Sequence, residues 1–381
     1  MKEVFGGTRA VKIGGFEHVE PVVIGGDHPV VIQTMWKDRL SFSDLEDKAA
    51  KVLIERIDTL AAMGCGLLRF AVPDMEGAGI LGRLSSMVSL PFTADIHFDY
   101  MIALRCLDFP IAKIRINPGN IGGADKVRRV LEKAAAGGVP IRIGVNAGSL
   151  PPDLRQLVDS GGLDPAAALV EAAERELAVF DQCGFTAVLV SMKASSAAQT
   201  MKANRLFASR RDVPLHIGVT EAGPLIAGVV RNTAALLPLL GEGIGDTIRI
   251  SLSDTPENEV IAAKEILASA AEIAAVEGRE GISRRLRQPA VTIISCPRCG
   301  RHSFDTHAFT ERWMPRLYGM NKSLTLAIMG CAVNGPGEAR HADLGITGVG
   351  DKVLIFRHGK VIRTIDAEDA DTVFAEELNG G

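Results

Sequence analysis

The chain has 381 residues and a mass of 40.5 kDa, enough for two domains at roughly 100–200 residues each. Hydrophobic residues make up 47% and charged residues 23%, the ordinary globular mix, which excludes a disordered chain and a coiled coil. Lys plus Arg is 42 against 46 Asp plus Glu, a net charge of −4 that excludes a general coat for nucleic acid but not a local basic pocket. From residue 30 to residue 253, short β-branched runs alternate with longer amphipathic ones. The runs are Val30–Met35, Leu67–Val72, Phe92–Ile96, Lys113–Asn117, Pro140–Val145, Thr186–Met192, Pro214–Val219 and Thr247–Leu252. Between them, stretches such as Ser43–Met63, Gly123–Ala136, Pro165–Gln182 and Pro256–Val276 repeat aliphatic residues at three- and four-residue steps, the helical period. Ser43 with Glu46 fits a capping box, and Pro165 and Pro256 suit first-turn positions. Eight such units predict an α/β fold, an N-terminal TIM (β/α)8 barrel over residues 1–280. A doubly wound open sheet is the alternative, although it more often uses fewer strands.

The period breaks at Gly278–Pro289, a polar segment with four arginines that reads as a linker with a solvated charge run. Beyond it, Val291–Ser295 and Leu324–Met329 have strand character, with a helix over Thr310–Leu317 between them. Val353–Arg357 and Lys360–Ile365 flank His358-Gly359 as a hairpin, and Asp366–Leu378 closes the chain as a helix. The prediction is a small α+β domain over 281–381, of a size that a metal site helps to stabilise.

In a barrel the active site lies at the carboxyl ends of the strands. The polar residues there are Arg69, then Asp95 and His97, then Lys113, Arg115 and Asn117, then Arg142 and Asn146. They continue with Ser191 and Lys193, with His216, Thr220 and Glu221, and with Arg249 and Ser251. Charges inside strands are costly to bury unless paired, and residues two apart share a face. Four arginines and a lysine on one rim form a polyanion receptor, and phosphate is the commonest polyanion that arginine forks match. The competing reading is that some of them pair with Asp95 and Glu221 merely to stabilise the barrel.

No apolar run reaches the roughly 18–20 residues of a membrane span, and the N-terminus lacks the apolar stretch of a signal peptide. The expectation is a cytoplasmic protein with neither membrane nor nucleic acid as a partner, whose cysteines stay reduced. Cys65, Cys106 and Cys183 sit in apolar or helical surroundings and read as buried inert thiols. Cys296-Pro-Arg-Cys299 and Gly330-Cys331 each follow a predicted strand, amid glycine and proline that let a backbone fold around a metal. From spacing alone the pair fits a redox dithiol, a zinc site completed by His302 or His307, or an iron–sulfur cluster. Glu338, seven residues past Cys331, is the oxygen candidate for a cluster, and carboxylate is a comparatively labile ligand on iron.

These segments resemble one family closely. Cys296-Pro-Arg-Cys299-Gly-Arg and Met329-Gly-Cys-Ala-Val-Asn-Gly-Pro-Gly-Glu-Ala339 are similar to the cluster motifs of bacterial 4-hydroxy-3-methylbut-2-enyl diphosphate synthases of the non-mevalonate isoprenoid pathway. Ala94-Asp-Ile-His-Phe-Asp99, Lys113-Ile-Arg-Ile-Asn-Pro-Gly-Asn120, Arg142-Ile-Gly-Val-Asn-Ala-Gly-Ser149 and His216-Ile-Gly-Val-Thr-Glu-Ala-Gly223 extend the resemblance through the barrel. With no large insertion between the domains, the chain is similar to the short bacterial form. The resemblance implies an oxidoreductase that opens 2-C-methyl-D-erythritol 2,4-cyclodiphosphate reductively and removes a hydroxyl. It implies one 4Fe-4S cluster per chain, held by Cys296, Cys299, Cys331 and Glu338. It also implies substrate binding by Arg69, Asp95, Arg115, Arg142, Asn146, Lys193, Arg249 and Ser251, with Glu221 and Glu338 catalytic and Glu221 delivering a proton. Members of the family are homodimers fed by flavodoxin or ferredoxin. One departure stands out: Trp36-Lys37-Asp38 stands after the first strand where the family usually has small polar residues, and it is expected to reshape one wall of the pocket or its fit to the partner chain.

Overall fold

The computed structural model describes residues 7–289, 291–297, 299–320, 322–331, 337 and 339–380, and Pro118 without its side chain. The chain divides into two compact units, Met1–Gln288 and Pro289–Gly381.

In the first unit, strands β1 (Val11–Ile13) and β2 (Val22–Ile24) pair as an antiparallel hairpin. Eight parallel strands follow: β3 (Val31–Met35), β4 (Cys65–Ala71), β5 (Phe92–Asp95), β6 (Lys113–Ile116), β7 (Ile141–Asn146), β8 (Val188–Lys193), β9 (His216–Ile217) and β10 (Thr247–Ile248). Their order is β8-β7-β6-β5-β4-β3-β10-β9. A parallel bridge from Val190 to Leu215, with Val190 N–H donating to the Pro214 carbonyl at 3.0 Å, joins β8 to the approach of β9 and closes the ring. This is the predicted barrel. Helices Pro165–Gln182 and Pro256–Val276 occupy the predicted spans, each with its proline in the first turn behind Asp164 or Thr255 as cap. Side chains of the hairpin, Val11, Ile13 and Ile24, pack against Leu67, Ala112 and Leu189 at the amino ends of the barrel strands. They plug the end opposite the candidate site.

Several expectations need correction. The helix drawn from Ser43 starts at Asp47; a single 3-10 turn, Phe42–Leu45, precedes it, and the capping carboxylate is Asp44, which accepts from Ser41 N–H at 2.8 Å. Strands β9 and β10 have only two residues each, and just before β9 the Asp246 carboxylate accepts the Leu215 N–H at 2.8 Å. The segment read as a linker carries a helix, Glu280–Leu286, which buries Ser283 and Leu286, and Arg285 pairs with Asp246 at 2.7 Å.

The second unit is a five-stranded sheet in sequential order: β11 (Val291–Ser295), β12 (Leu324–Met329), β13 (Leu344–Val349), β14 (Lys352–Arg357) and β15 (Lys360–Asp366). The first three are parallel and the last two antiparallel. Helices Thr306–Tyr318 and Ala370–Asn379 cover one face through Phe309, Trp313, Leu317 and Phe374. The hairpin at His358-Gly359 forms as expected, both residues at positive φ (46° and 76°), the conformation such a tight turn demands. β13 was not expected.

Candidate functional site

A small cavity opens at the carboxyl ends of the barrel strands. Arg69 reaches it from β4, Arg115 from β6, Arg142 and Asn146 from β7, Ser191 and Lys193 from β8, and Arg249 and Ser251 from the end of β10. His97 and Thr220 complete its wall. Parallel register explains the grouping. Thr93 pairs with Lys113, Asp95 with Arg115 and Arg115 with Arg142, so the alternation of each strand aims the same rows inward.

Asp95 is buried and organises one side of the mouth. Its Oδ2 accepts from Arg69 NH2 at 2.7 Å and Nε at 3.1 Å, and its Oδ1 accepts from Arg115 NH1 at 3.1 Å. Burial alone would raise this carboxyl, yet Arg69 and Arg115, with His97 and Arg142 behind them, hold it well below the usual carboxylate range. Arg115 NH1 also meets His97 Nε2, and its NH2 donates to the Gly144 carbonyl at 3.2 Å. Burial pushes His97 below its ordinary value, which suits a neutral ring accepting from arginine. A Cβ on Gly144 would lie 2.3 Å from Arg115 Nε, so the glycine leaves the room that the guanidinium fills.

On the opposite side Arg249 donates to Glu259 through Nε (3.2 Å) and NH2 (3.0 Å). Cations outnumber these two carboxylates. Burial, and then neighbouring positive charge, pushes Lys113, Arg142 and Lys193 well below their ordinary values. Lys113 donates to Gln33 Oε1 at 3.0 Å and Arg142 NH1 to Ser191 Oγ at 2.8 Å. Arg142 Nε and NH2, Gln33 Nε2, Thr93 Oγ1 and His216 Nε2 are buried without a partner among the described residues. A buried layer with spare donors and excess positive charge is built to receive an anion or its waters.

In the second unit the cysteine loops leave the carboxyl ends of neighbouring parallel strands, since Ser295 of β11 pairs with Ile328 of β12. Cys296 N–H donates to the Ile328 carbonyl at 3.0 Å, and Ser303 N–H to the Gly330 carbonyl at 2.8 Å. A Cβ on Gly330 would come within 3.8 Å of the Cys296 sulfur. Cys331 is buried and Cys299 exposed. His302 Nδ1 bonds the Cys299 carbonyl at 2.7 Å, and His307 faces Glu311 at 3.4 Å. Among the described residues no three His, Cys, Asp or Glu side chains converge into a metal site. Glu338 lies outside the described residues.

Residues 8–264 match the family model described as the GcpE TIM-barrel domain, and residues 292–380 match the GcpE protein C-terminal domain. The chain belongs to the GcpE family. The chain is 47% identical to the 4-hydroxy-3-methylbut-2-en-1-yl diphosphate synthase (flavodoxin) of Treponema pallidum, with 98% of this chain and 91% of that protein covered. The protein of the same name from Geobacter sulfurreducens is 41% identical, over 97% of this chain and 96% of its own length. Among solved structures, dihydropteroate synthase from Xanthomonas albilineans aligns at a TM-score of 0.45 and 14% identity, over 71% of this chain and 99% of that one.

In this GcpE-family chain, Arg69, Arg115, Arg142, Asn146, Lys193, Arg249 and Ser251 converge on one cavity, and Asp95 stands behind two of them. Glu221 is different. It is exposed, outside the cavity wall, and held at a φ of 52°, a conformation uncommon outside glycine and frequent at functional sites. It does not pair with the arginines; the carboxylate on that side is Glu259, which strand-end reading missed. Its signal lay in helix Pro256–Val276, where Glu259 shares the buried stripe of Ala263, Ile266 and Ala270. Glu176 was missed for the same reason. Burial pushes its carboxyl up to about 8, against the Gly119 N–H and Arg115, and its Oε2 has no partner among the described residues. Trp36 stacks on Phe70 at 5.9 Å beneath Arg56 and stays out of the cavity wall. Cys65 and Cys106 are buried, with thiols pushed up to about 12, while Cys183 is part-exposed.

Proposed function

We propose that the chain opens 2-C-methyl-D-erythritol 2,4-cyclodiphosphate reductively to 4-hydroxy-3-methylbut-2-enyl diphosphate, with two electrons from flavodoxin or ferredoxin passed through one 4Fe-4S cluster per chain. The observation that carries this reading is the barrel mouth, where five cationic side chains face one cavity and the carboxylates paired with them there are Asp95 and Glu259. A cyclic diphosphate supplies the missing negative charge. The names of the curated relatives agree with it.

The arginines and Lys193 would bind and orient both phosphoryl groups and neutralise charge as the ring opens, a role for preorganised cations in a site of low dielectric. Asp95 would fix Arg69 and Arg115 in place beforehand, so little reorganisation is left for the reaction. Asn146 and Ser251 would add neutral hydrogen bonds, and Glu221, exposed next in the chain to Thr220 of the wall, would deliver a proton. Cys296, Cys299, Cys331 and Glu338 would hold the cluster. The chemistry of the donors suits it: three thiols on loops that leave two adjacent strand ends. When bound, the cluster supplies low-potential electrons, which no side chain does.

On this reading residues 1–280 bind substrate, residues 281–381 carry the cluster, and the protein works in the cytoplasm as a homodimer. No helix among the described residues is long and apolar enough to cross a membrane. The test is anaerobic turnover of the cyclic diphosphate with an artificial reductant, alongside metal analysis. Brown protein with about four irons per chain that forms the linear diphosphate is expected. Colourless protein holding one zinc, inert toward that substrate, would refute the reading.

A further inference from the structure

The Glu259 carboxylate is the most heavily used acceptor near the barrel mouth. Besides Arg249, it accepts from Thr34 Oγ1 at 2.7 Å, from Lys37 Nζ at 2.5 Å and from the Leu252 N–H at 3.1 Å. Lys37 Nζ also donates to the Leu252 carbonyl at 3.0 Å. The first barrel strand and the end of the eighth are thus tied through one buried side chain on the following helix. Neither Lys37 nor Glu259 lines the arginine cavity. Lys37 belongs to the Trp36-Lys37-Asp38 segment at the end of the first barrel strand, and its neighbours brace the same helix: Arg56 pairs with Asp38 at 3.2 Å and with Glu257 at 2.8 Å.

We propose that Glu259 is a positioning residue through which Lys37 and Thr34 fix the guanidinium of Arg249, so that the rim of the first strand sets how tightly the mouth holds a phosphoryl group. The inference rests on the anion-site reading above. Its physical content is a division of labour on one guanidinium. Nε and NH2 of Arg249 are held by Glu259, which fixes the plane of the fork and leaves NH1 for a ligand. A carboxylate this close to a phosphate site would repel the ligand if it stood alone. The Lys37 ammonium offsets that charge, so Glu259 orients Arg249 without cancelling its attraction for an anion.

The two ways in which Glu259 could act have opposite signs, and that makes the idea testable. Were it only a negative charge, Glu259→Gln would tighten anion binding; as a positioning group, the same change weakens it. The experiment is calorimetric titration of anaerobically purified full-length protein with inorganic pyrophosphate. Glu259→Gln and Lys37→Met are each measured alone and in an Arg249→Gln background. Expected are losses of about tenfold for Glu259→Gln and about threefold for Lys37→Met; once Arg249 is replaced the first disappears and the second shrinks to the charge effect of Lys37 alone, because groups that act through one residue are not additive. The lysine variant keeps the test open if Glu259→Gln fails to fold, since the Lys37 side chain is 28% exposed and its loss leaves no buried cavity. Tighter or unchanged binding in Glu259→Gln overturns the proposal, as do losses of equal size in both backgrounds, the pattern of a general structural effect. Wild-type protein that does not bind pyrophosphate overturns the anion-site reading itself, and this inference with it.

Discussion

The most economical probe of the mouth is a single methyl group. In Gly144→Ala the new Cβ would lie 2.3 Å from Arg115 Nε, 2.6 Å from NH2 and 2.8 Å from Cζ. Carbon needs about 3.5 Å or more, so the guanidinium must withdraw by about 1 Å. Its bonds to Asp95 Oδ1 (3.1 Å) and the Gly144 carbonyl (3.2 Å) would then stretch to about 4 Å, beyond hydrogen-bond range. Overpacking of this kind costs about 1–3 kcal/mol of stability. A lost charged hydrogen bond to a phosphoryl oxygen is worth about 1.5–3 kcal/mol, so pyrophosphate affinity should fall by about 10- to 100-fold. The assay is titration with pyrophosphate beside denaturant unfolding, with Gly148→Ala as control, because a Cβ there meets nothing within 4 Å. If Gly144→Ala binds pyrophosphate as tightly as Gly148→Ala does, the Arg115 guanidinium does not depend on the room beside Gly144 for its grip on the anion.

Asp95→Asn should cost about 3–5 kcal/mol at neutral pH, because it unpairs Arg69 and Arg115 in a buried setting. Since the folded protein depresses this carboxyl, its contribution is complete above about pH 4 and fades as pH falls further, so urea unfolding should show wild type and variant converging in acid. Burial and neighbouring arginines depress Lys193, and a bound diphosphate restores its charge; binding should therefore take up protons and weaken as pH rises toward 10.5, and heats of binding independent of buffer would contradict this. Cys299→Ser and Cys331→Ser should lose most iron on anaerobic reconstitution while pyrophosphate affinity stays intact, because the arginine cavity lies wholly within the first unit.

Much of this architecture was legible because a barrel writes its period twice, once in the strands and once in the helices between them. The elements that escaped notice have particular causes. β1 and β2 are three residues long and flank Gly14-Gly15, too short for alternation to register. β13 contains Gly345 and Gly348, which weaken a strand pattern, yet the space they leave is filled by the Phe356 ring and by Ser303 and Phe304. The strand-end arginines could be read because residues two apart share a face and polar side chains there are conspicuous. Glu259 and Glu176 could not be found that way, because both sit on helices where attention falls on the apolar stripe. An acidic residue in a first turn, as at Glu259, is already accounted for by the helix dipole.

The spare donors connect these observations. Arg142 spends one of its donors on Ser191 and leaves Nε and NH2 buried without a partner among the described residues, while His216 Nε2 and Thr93 Oγ1 are in the same condition nearby. Such groups destabilise a fold, and a chain selected only for stability would replace them with aliphatic residues of similar volume. The barrel tolerates them because its load is carried elsewhere, by the hairpin plug at the amino end and by aliphatic contacts with the surrounding helices. Asp95 holds two arginines in position and Glu259 one, without neutralising the whole set. The mouth is left with unmet positive charge whose geometry is fixed before any ligand arrives, and binding free energy then comes from filling that deficit rather than from reorganising the protein.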